Sequence, residues 1–296
     1  MSHWLVAILA TPKTTTQHVR TMNHDGIRKL LGGLLLVAGS CFAGMASAED
    51  LVVPGSGNSE FVLGEAAKVF NSRQSAHRVI VPPSSGMAGA VRDVSEGIAA
   101  LGRTGRPLRE AELTKGLTYL PIGREAVTVV AGAAVTVRHI STEQLKAVFS
   151  GHITRWSELG GKPVPIRAIT KDSSDAIRSQ LATYFKDMTY SDSVRIAHFD
   201  TQLLELLDRY PTSLAVMNRS ALGACRTKVA TLSLDGVEPS LDNVASGRYP
   251  LIMEFGLIHK TGTLSPASKA FIEFLRSADG VKILRQHGVL PKLAGS

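Results

Sequence analysis

The feature that most constrains this chain is a repeated alternation: a short β-branched run, a turn rich in serine and glycine, then an amphipathic stretch. Residues 51–53 read as a strand, 59–72 as a helix, 78–82 as a strand, 87–96 as a helix and 98–101 as a strand. Such alternation specifies an α/β fold with a mostly parallel sheet, because each helix carries the chain back to where the next strand can start. A longer apolar strand follows at 126–131. Ser141-Thr142-Glu143-Gln144 is a capping box, in which the Ser141 hydroxyl and the Gln144 side chain satisfy free amides of the next helix. Gly151 and the Gly160-Gly161 pair then punctuate a loop holding Trp156, which is expected to pack that loop.

A second series has a strand at 164–169, helices at 174–186 and 202–209, and a strand at 214–217. Residues 251–259 form another long extended run, and Ser265-Pro266 opens a final helix with a good N-cap and proline at its first position. The long strands near 126 and 252 separate a middle block from two outer blocks. That layout suits one lobe made from both ends of the chain and a second inserted between two crossings.

The first segment bears on compartment. Arg28-Lys29 precede an apolar stretch over 30–45, and Ala46-Ser47-Ala48 follow, which is the order of a secretory signal with cleavage after Ala48. Residues before Met22 read as an upstream extension. The alternatives are an uncleaved anchor, for which the glycine-containing stretch is short, and a lipoprotein modified at Cys41. Without residues 1–48 the chain loses Lys13, Arg20, Arg28 and Lys29 from 33 basic residues and Asp25 from 25 acidic ones, leaving 29 against 24. This mild excess, with no basic runs interleaved with aromatics, suits a small anionic ligand and argues against nucleic acid. Cys225 would be the one remaining cysteine, which excludes an internal disulfide, CxxC redox chemistry and a cysteine zinc site.

Three stretches place small hydroxyl residues between a strand and a helix: 55–59, Ser84-Ser85-Gly86 and Ser173-Ser174-Asp175. At each, free helix amides and the positive end of the helix dipole face outward, and serine adds a donor. Any one by itself reads better as a simple cap. Three in one chain, with Arg103 and Arg106 close in sequence, point to a cleft for an oxyanion. The histidines after residue 48 (His77, His139, His152, His198, His259, His287) show no HExxH spacing, and Gly55-Ser56-Gly57 is not the G-x-S-x-G elbow. No nucleophile, metal or cofactor is called for.

Several runs carry a family resemblance. Residues 97–108, GIAALGRTGRPL, resemble the stretch ending in serine-arginine-proline-leucine that follows the third strand of phosphate-binding proteins of ABC transporters. Residues 140–161, ISTEQLKAVFSGHITRWSELGG, are similar to that family's most recognisable run, and DGVEP at 235–239 and GRYPL at 247–251 match two later ones. The resemblance spans nearly all of 50–290. It implies an α/β, two-lobed periplasmic binding protein of type II, with a two-strand hinge and a ligand cleft between the lobes. Lobe I would be 49–125 with 249–296, and lobe II 126–248. The ligand positions it implies are Ser59 with the Glu60 amide; Ser84, Ser85 and Gly86; Arg106; Ser173, Ser174 and Asp175; and Lys171, or Arg167 if loop lengths differ.

Two departures matter. An aspartate that in this family accepts the proton of dibasic phosphate is here Gly105. An ionised carboxylate only accepts hydrogen bonds, so it admits a protonated oxyanion and repels sulfate. Asp175, where the family has threonine, either restores that acceptor or simply caps its helix. Arg103 is either a partner of acids or a solvated charge. The function expected is capture of an inorganic oxyanion, phosphate first, by a monomer that hands it to a membrane permease and catalyses nothing. Alternatives are a binder of sulfate, molybdate or organic phosphate, an exported phosphoester hydrolase, and a sensing protein on the same fold.

Overall fold

The computed structural model describes residues 49–226 and 228–292, so the expected export signal at 1–48 lies outside the described residues. In chain order the elements are β1 (Glu49–Val52), α1 (Glu60–Arg73), β2 (His77–Ile80), α2 (Gly86–Ser95), β3 (Gly102–Thr104), α3 (Glu110–Leu113), β4 (Leu117–Ala131), β5 (His139–Ile140), α4 (Thr142–Phe149) and β6 (Arg167–Lys171). Then come α5 (Ala176–Tyr184), β7 (Arg195–Ala197), α6 (Asp200–Arg209), β8 (Ser213–Asn218), β9 (Ala230–Leu234), α7 (Leu241–Ala245), β10 (Ile252–Lys260), α8 (Pro266–Arg276), α9 (Ala278–Gln286) and β11 (Val289–Pro291).

Both long strands pass from one hydrophobic core to another. On β4, Ile122 packs in a core with Leu51, Val62, Phe70, Leu257 and Phe271. A few residues on, Ala126, Val127 and Val129 pack in a second core with Leu145, Trp156, Leu181 and Leu214. On β10 the change falls between Met253, in the second core, and Phe255, in the first. A further cluster, including Val130, Ile169, Leu203 and Ala215, packs α6 against β8. β4 and β10 pair antiparallel, with an irregularity between Phe255 and Gly256 where the strands bend. Two adjacent strands that both change core within a few residues are the crossings of a two-lobed molecule. The lobe around Leu51 and Phe271 is called lobe I below, and the other lobe II.

The sheet is mixed, where a mostly parallel one was expected. Its main path runs β3-β10-β4-β8-β6-β7; β10 is antiparallel to β3 and β4, and β4 to β8. One long strand leaves lobe I and the other returns, so the centre is antiparallel. Parallel pairing holds where a helix brings the chain back, at β1-α1-β2 and β6-α5-β7.

Two further expectations shift. The strand expected at 98–101 forms wholly beyond that range, as β3 at 102–104; Ile98 is 71% exposed, while the buried strand reads Gly-Arg-Thr. Hydropathy fails there because the strand's central side chain is a buried arginine. Ser265 does cap α8, accepting from the Ser268 amide at 3.1 Å, but α8 is not the last helix. The chain breaks at Ser277, whose hydroxyl caps α9, and β11 then pairs with β4. The capping box holds as read: Ser141 Oγ accepts from Gln144 N at 3.1 Å and Gln144 Oε1 from Ser141 N at 2.9 Å. Trp156 is buried and donates Nε1–H to the Thr212 carbonyl at 2.8 Å.

Candidate functional site

The loops that leave the carboxyl ends of β1, β2, β6 and β7 meet at one cleft of about 720 Å³. Its lobe I wall includes Ser56, Gly57 and the first turn of α2; its lobe II wall includes Asp175, Ala176 and Ser179, the first turn of α5. Carboxyl ends of parallel strands are where ligands bind in such sheets. Here they also bring two helix N-termini, each with unpaired amides and a positive dipole end, to the same space.

Behind the lobe I wall lies Arg103, fully buried. Its guanidinium donates to the carbonyls of Ser56 at 2.7 Å, Val53 at 2.5 Å and Pro82 at 2.7 Å, and to Glu60 Oε2 at 3.3 Å. It therefore ties the β1 loop to the β2 loop from behind and does not face the cleft. Burial lowers its pKa to about 10, and burial also raises that of Glu60. Gly55 completes the clamp: its backbone pairs with Arg103 at φ +140°, and a Cβ there would overlap the Arg103 carbonyl.

The clamp withdraws two expected ligand positions from the cleft. Ser59 is fully buried and does not line it; its hydroxyl has no partner among the described residues. The Glu60 amide donates to the Gly57 carbonyl inside a short 3-10 turn, so it too is turned away. Ser84, Ser85 and Gly86 do line the cleft. Ser84 Oγ donates to the Gly55 carbonyl at 3.1 Å and accepts from Gly86 N at 3.2 Å, and Met87 and Ala88, next in the turn, also line the cleft.

In lobe II the expected cation is Lys171, buried at the end of β6. Its Nζ lies 3.1 Å from Asp200 Oδ1 and 3.6 Å from Asp175 Oδ2. Asp175 also caps α5, accepting from Ile177 N at 2.8 Å, so its capping role is realised, and it lines the cleft as well. Burial raises its pKa, with the Lys171 charge opposing. Ser174 lines the cleft but gives its amide and hydroxyl to Asp172 Oδ1, at 3.0 and 2.9 Å. Ser173 is exposed and outside the lining. Arg167, the alternative cation, sits at the opposite end of β6 with its guanidinium over the Tyr210 ring. Arg106 lines the cleft yet makes a two-pronged pair with Glu112 at 2.8 and 2.9 Å.

Sequence reasoning missed Asp200. It lies in the first turn of α6, almost fully buried, and a Cβ on Gly57 would overlap its Oδ2. The carboxylate of one lobe thus rests on the backbone of the other. Its one sequence signal is an acid just after a short strand, FD at 199–200, where helical periodicity was traced from 202. Gly105 makes a second such contact: a Cβ there would lie 2.8 Å from Ser56 Oγ, 2.9 Å from Asn58 Oδ1 and 3.1 Å from the Ala176 Cβ. A side chain at 105 would therefore meet Ser56, Asn58 and Ala176 at its first carbon.

Glu125 was also missed. Fully buried on β4 at the crossing, it accepts from Ser220 N at 2.6 Å and Asn218 Nδ2 at 3.1 Å. Burial pushes its pKa up to about 7. It lies one residue before the apolar run read at 126–131, whereas β4 extends back to Leu117 and takes it into the buried strand.

A family profile described as the PBP superfamily domain matches residues 43–279. The phosphate-binding protein PstS of Bacillus subtilis is 28% identical over 249 residues, covering 82% of this chain and 80% of its own. PstS of Borreliella burgdorferi is 19% identical over 194 residues, 62% of this chain and 70% of its own. A Clostridium perfringens protein solved with bound phosphate superposes with a TM-score of 0.73 at 20% identity, over 83% of this chain and all (100%) of that one. An ABC-type phosphate transport receptor from Vibrio cholerae gives 0.61 at 20% identity, over 81% and 99%. The profile match, the two cores joined by β4 and β10 and the cleft between them lead to one conclusion: this chain belongs to the PBP superfamily, with the two-lobed type II fold.

Proposed function

We propose that this protein captures phosphate in the cleft between its lobes and presents it to the permease of an ABC transporter. The observation that carries this reading is that α2 from lobe I and α5 from lobe II turn their N-termini to the same cleft. A tetrahedral oxyanion there would take the α2 amides with Ser84 and Ser85 on one side, and the start of α5 with Lys171 and Ser174 on the other. Asp200 and Asp175 supply the acceptors that Gly105 does not, so an anion carrying a proton is favoured over sulfate. Relatives that carry the name phosphate-binding protein support the same ligand.

In this reading lobe I is 49–125 with 249–296, lobe II is 126–248, and closure about β4 and β10 commits the ligand. The protein is exported to the periplasm, acts as a monomer, binds no nucleic acid and catalyses nothing. Thermal denaturation against phosphate, sulfate and molybdate tests it. A ligand at ~100 times its Kd adds roughly 2.7 kcal/mol to stability, a shift of a few degrees for a chain of this size. The expected order is phosphate well above sulfate; no shift with any oxyanion would overturn the reading.

A further inference from the structure

A second cavity, of about 280 Å³, lies in lobe II at the end of the sheet away from the cleft. β6, β7 and β8 run parallel, and the cavity gathers residues at their amino ends: Arg167 is the first residue of β6, Arg195 the first of β7, and Tyr210 stands just before β8. The cleft collects the loops at the carboxyl ends of the same β6 and β7, and the two linings share no residue. Arg167 and Lys171 are the two ends of β6, about 13 Å apart at ~3.3 Å per residue.

Two arginines of this lining share one aromatic ring. The guanidinium carbon of Arg167 lies 4.9 Å from the centroid of the Tyr210 ring, and that of Arg195 lies 5.8 Å from it. A ring attracts a cation without neutralising it, and it leaves the in-plane N–H groups of a guanidinium unused. Among the described residues neither arginine side chain makes a hydrogen bond or an ion pair. Arg178, over the Tyr190 ring, differs: its guanidinium donates to Thr170 Oγ1 at 3.3 Å and to the Lys171 carbonyl at 3.2 Å. No Asp or Glu is in the lining among the described residues. Glu158, which is bonded to Thr154 of the lining, accepts with Oε1 from the backbone amides of Thr154 and Arg155 and pairs with neither cation. Two like charges are thus drawn to one ring with no carboxylate to offset them.

Much of the remaining lining is apolar. Val148 and Ile169 are buried, and Ile153 and Ile166 pack against the second core. Covering such surface with an apolar group is favourable, and a guanidinium fork holds a carboxylate through paired N–H···O bonds. The cavity has the volume of about nine water-sized groups at ~30 Å³ each. That is room for a small ring or a branched chain bearing one carboxylate, and a bare inorganic ion would leave the apolar wall uncovered.

We infer that this cavity is a second binding site, for a small organic carboxylate held by Arg167 and Arg195 with its apolar body against Ile153, Ile166 and Ile169. The site is separate from the oxyanion cleft and does not depend on what the cleft binds. Calorimetric titration of the full chain with benzoate and with 3-methylbutanoate, each compared with its uncharged amide, tests it. At least one carboxylate should bind saturably, one to one, and tenfold or more tighter than its amide. Arg167→Gln and Arg195→Gln, both at exposed positions, should each lower that affinity about tenfold while leaving the melting temperature unchanged. Saturable binding of neither carboxylate would overturn the inference, and so would acid and amide binding equally. An affinity unmoved in both arginine variants would place the carboxylate elsewhere on the molecule and overturn it as well.

Discussion

The Asp200 carboxylate of lobe II lies so close to the Gly57 backbone of lobe I that no β-carbon fits between them. Gly57 does not need positive φ, so alanine is excluded there by the neighbouring lobe and not by its own backbone. Gly57→Ala should therefore hold the lobes apart and weaken ligand binding tenfold or more while changing unfolding stability little. Titration and chemical denaturation of the same variant check this; unchanged affinity would show that the contact is not part of the closed state.

Asp200→Asn removes a charge that Lys171 pairs with and that rests on Gly57 of the cleft wall. Discrimination between phosphate and sulfate should narrow, because an amide can donate to an ion that carries no proton. Asp175→Asn separates two roles, since asparagine caps a helix as well as aspartate does. Any change in selectivity there reports the acceptor role. Asp175→Ala should in addition cost about 1 kcal/mol of stability through the lost cap.

Arg103→Ala leaves the carbonyls of Val53, Ser56 and Pro82 and the Glu60 carboxylate without their shared donor. Removing one member of a buried charged network is strongly destabilising, about 3–5 kcal/mol. Loss of binding should come together with a lowered melting temperature, in contrast to Gly57→Ala. A variant of normal stability would contradict the clamp.

Glu125 sets a pH dependence. Its pKa is raised from 4.5 to about 7 in the folded protein. Between those values the unfolded chain ionises before the folded one, so stability is fully present below pH ~4.5 and falls as pH rises to about 7, by about 3 kcal/mol in total. Glu125→Gln should flatten that slope, with Asn218 Oδ1, unpartnered among the described residues, available to accept from the new amide. Denaturation midpoints at pH 5 and pH 8 for both proteins decide the matter; equal slopes would rule out Glu125 as the source.

Much of this was legible in residues. The serine and glycine turns marked the right strand ends, the capping box at Ser141 formed as read, and the family-like runs have visible structural reasons. Asp235, in the DGV run, accepts from Thr142 N at 2.7 Å and Oγ1 at 2.6 Å, and Tyr249, in the GRYPL run, donates to the Val127 carbonyl at 3.0 Å across the crossing. What stayed hidden were groups whose roles depend on the opposite lobe. Nothing local distinguishes Asp200 from an ordinary helix-start acid, or Gly57 and Gly105 from turn residues, until the lobes are brought together. Arg103 reads from sequence as either a partner of acids or a solvated charge, and its burial against Glu60 and three carbonyls shows it to be a brace.

The proposed function rests on two helix N-termini from opposite lobes holding a phosphoryl group in one cleft. Titration calorimetry with inorganic phosphate and sulfate at pH 7.5, on wild type and Lys171→Met, tests it most directly. Saturable one-to-one phosphate binding, at least tenfold weaker sulfate binding and a large loss of phosphate affinity in the variant are expected. No saturable phosphate binding, or binding indifferent to Lys171, would contradict it.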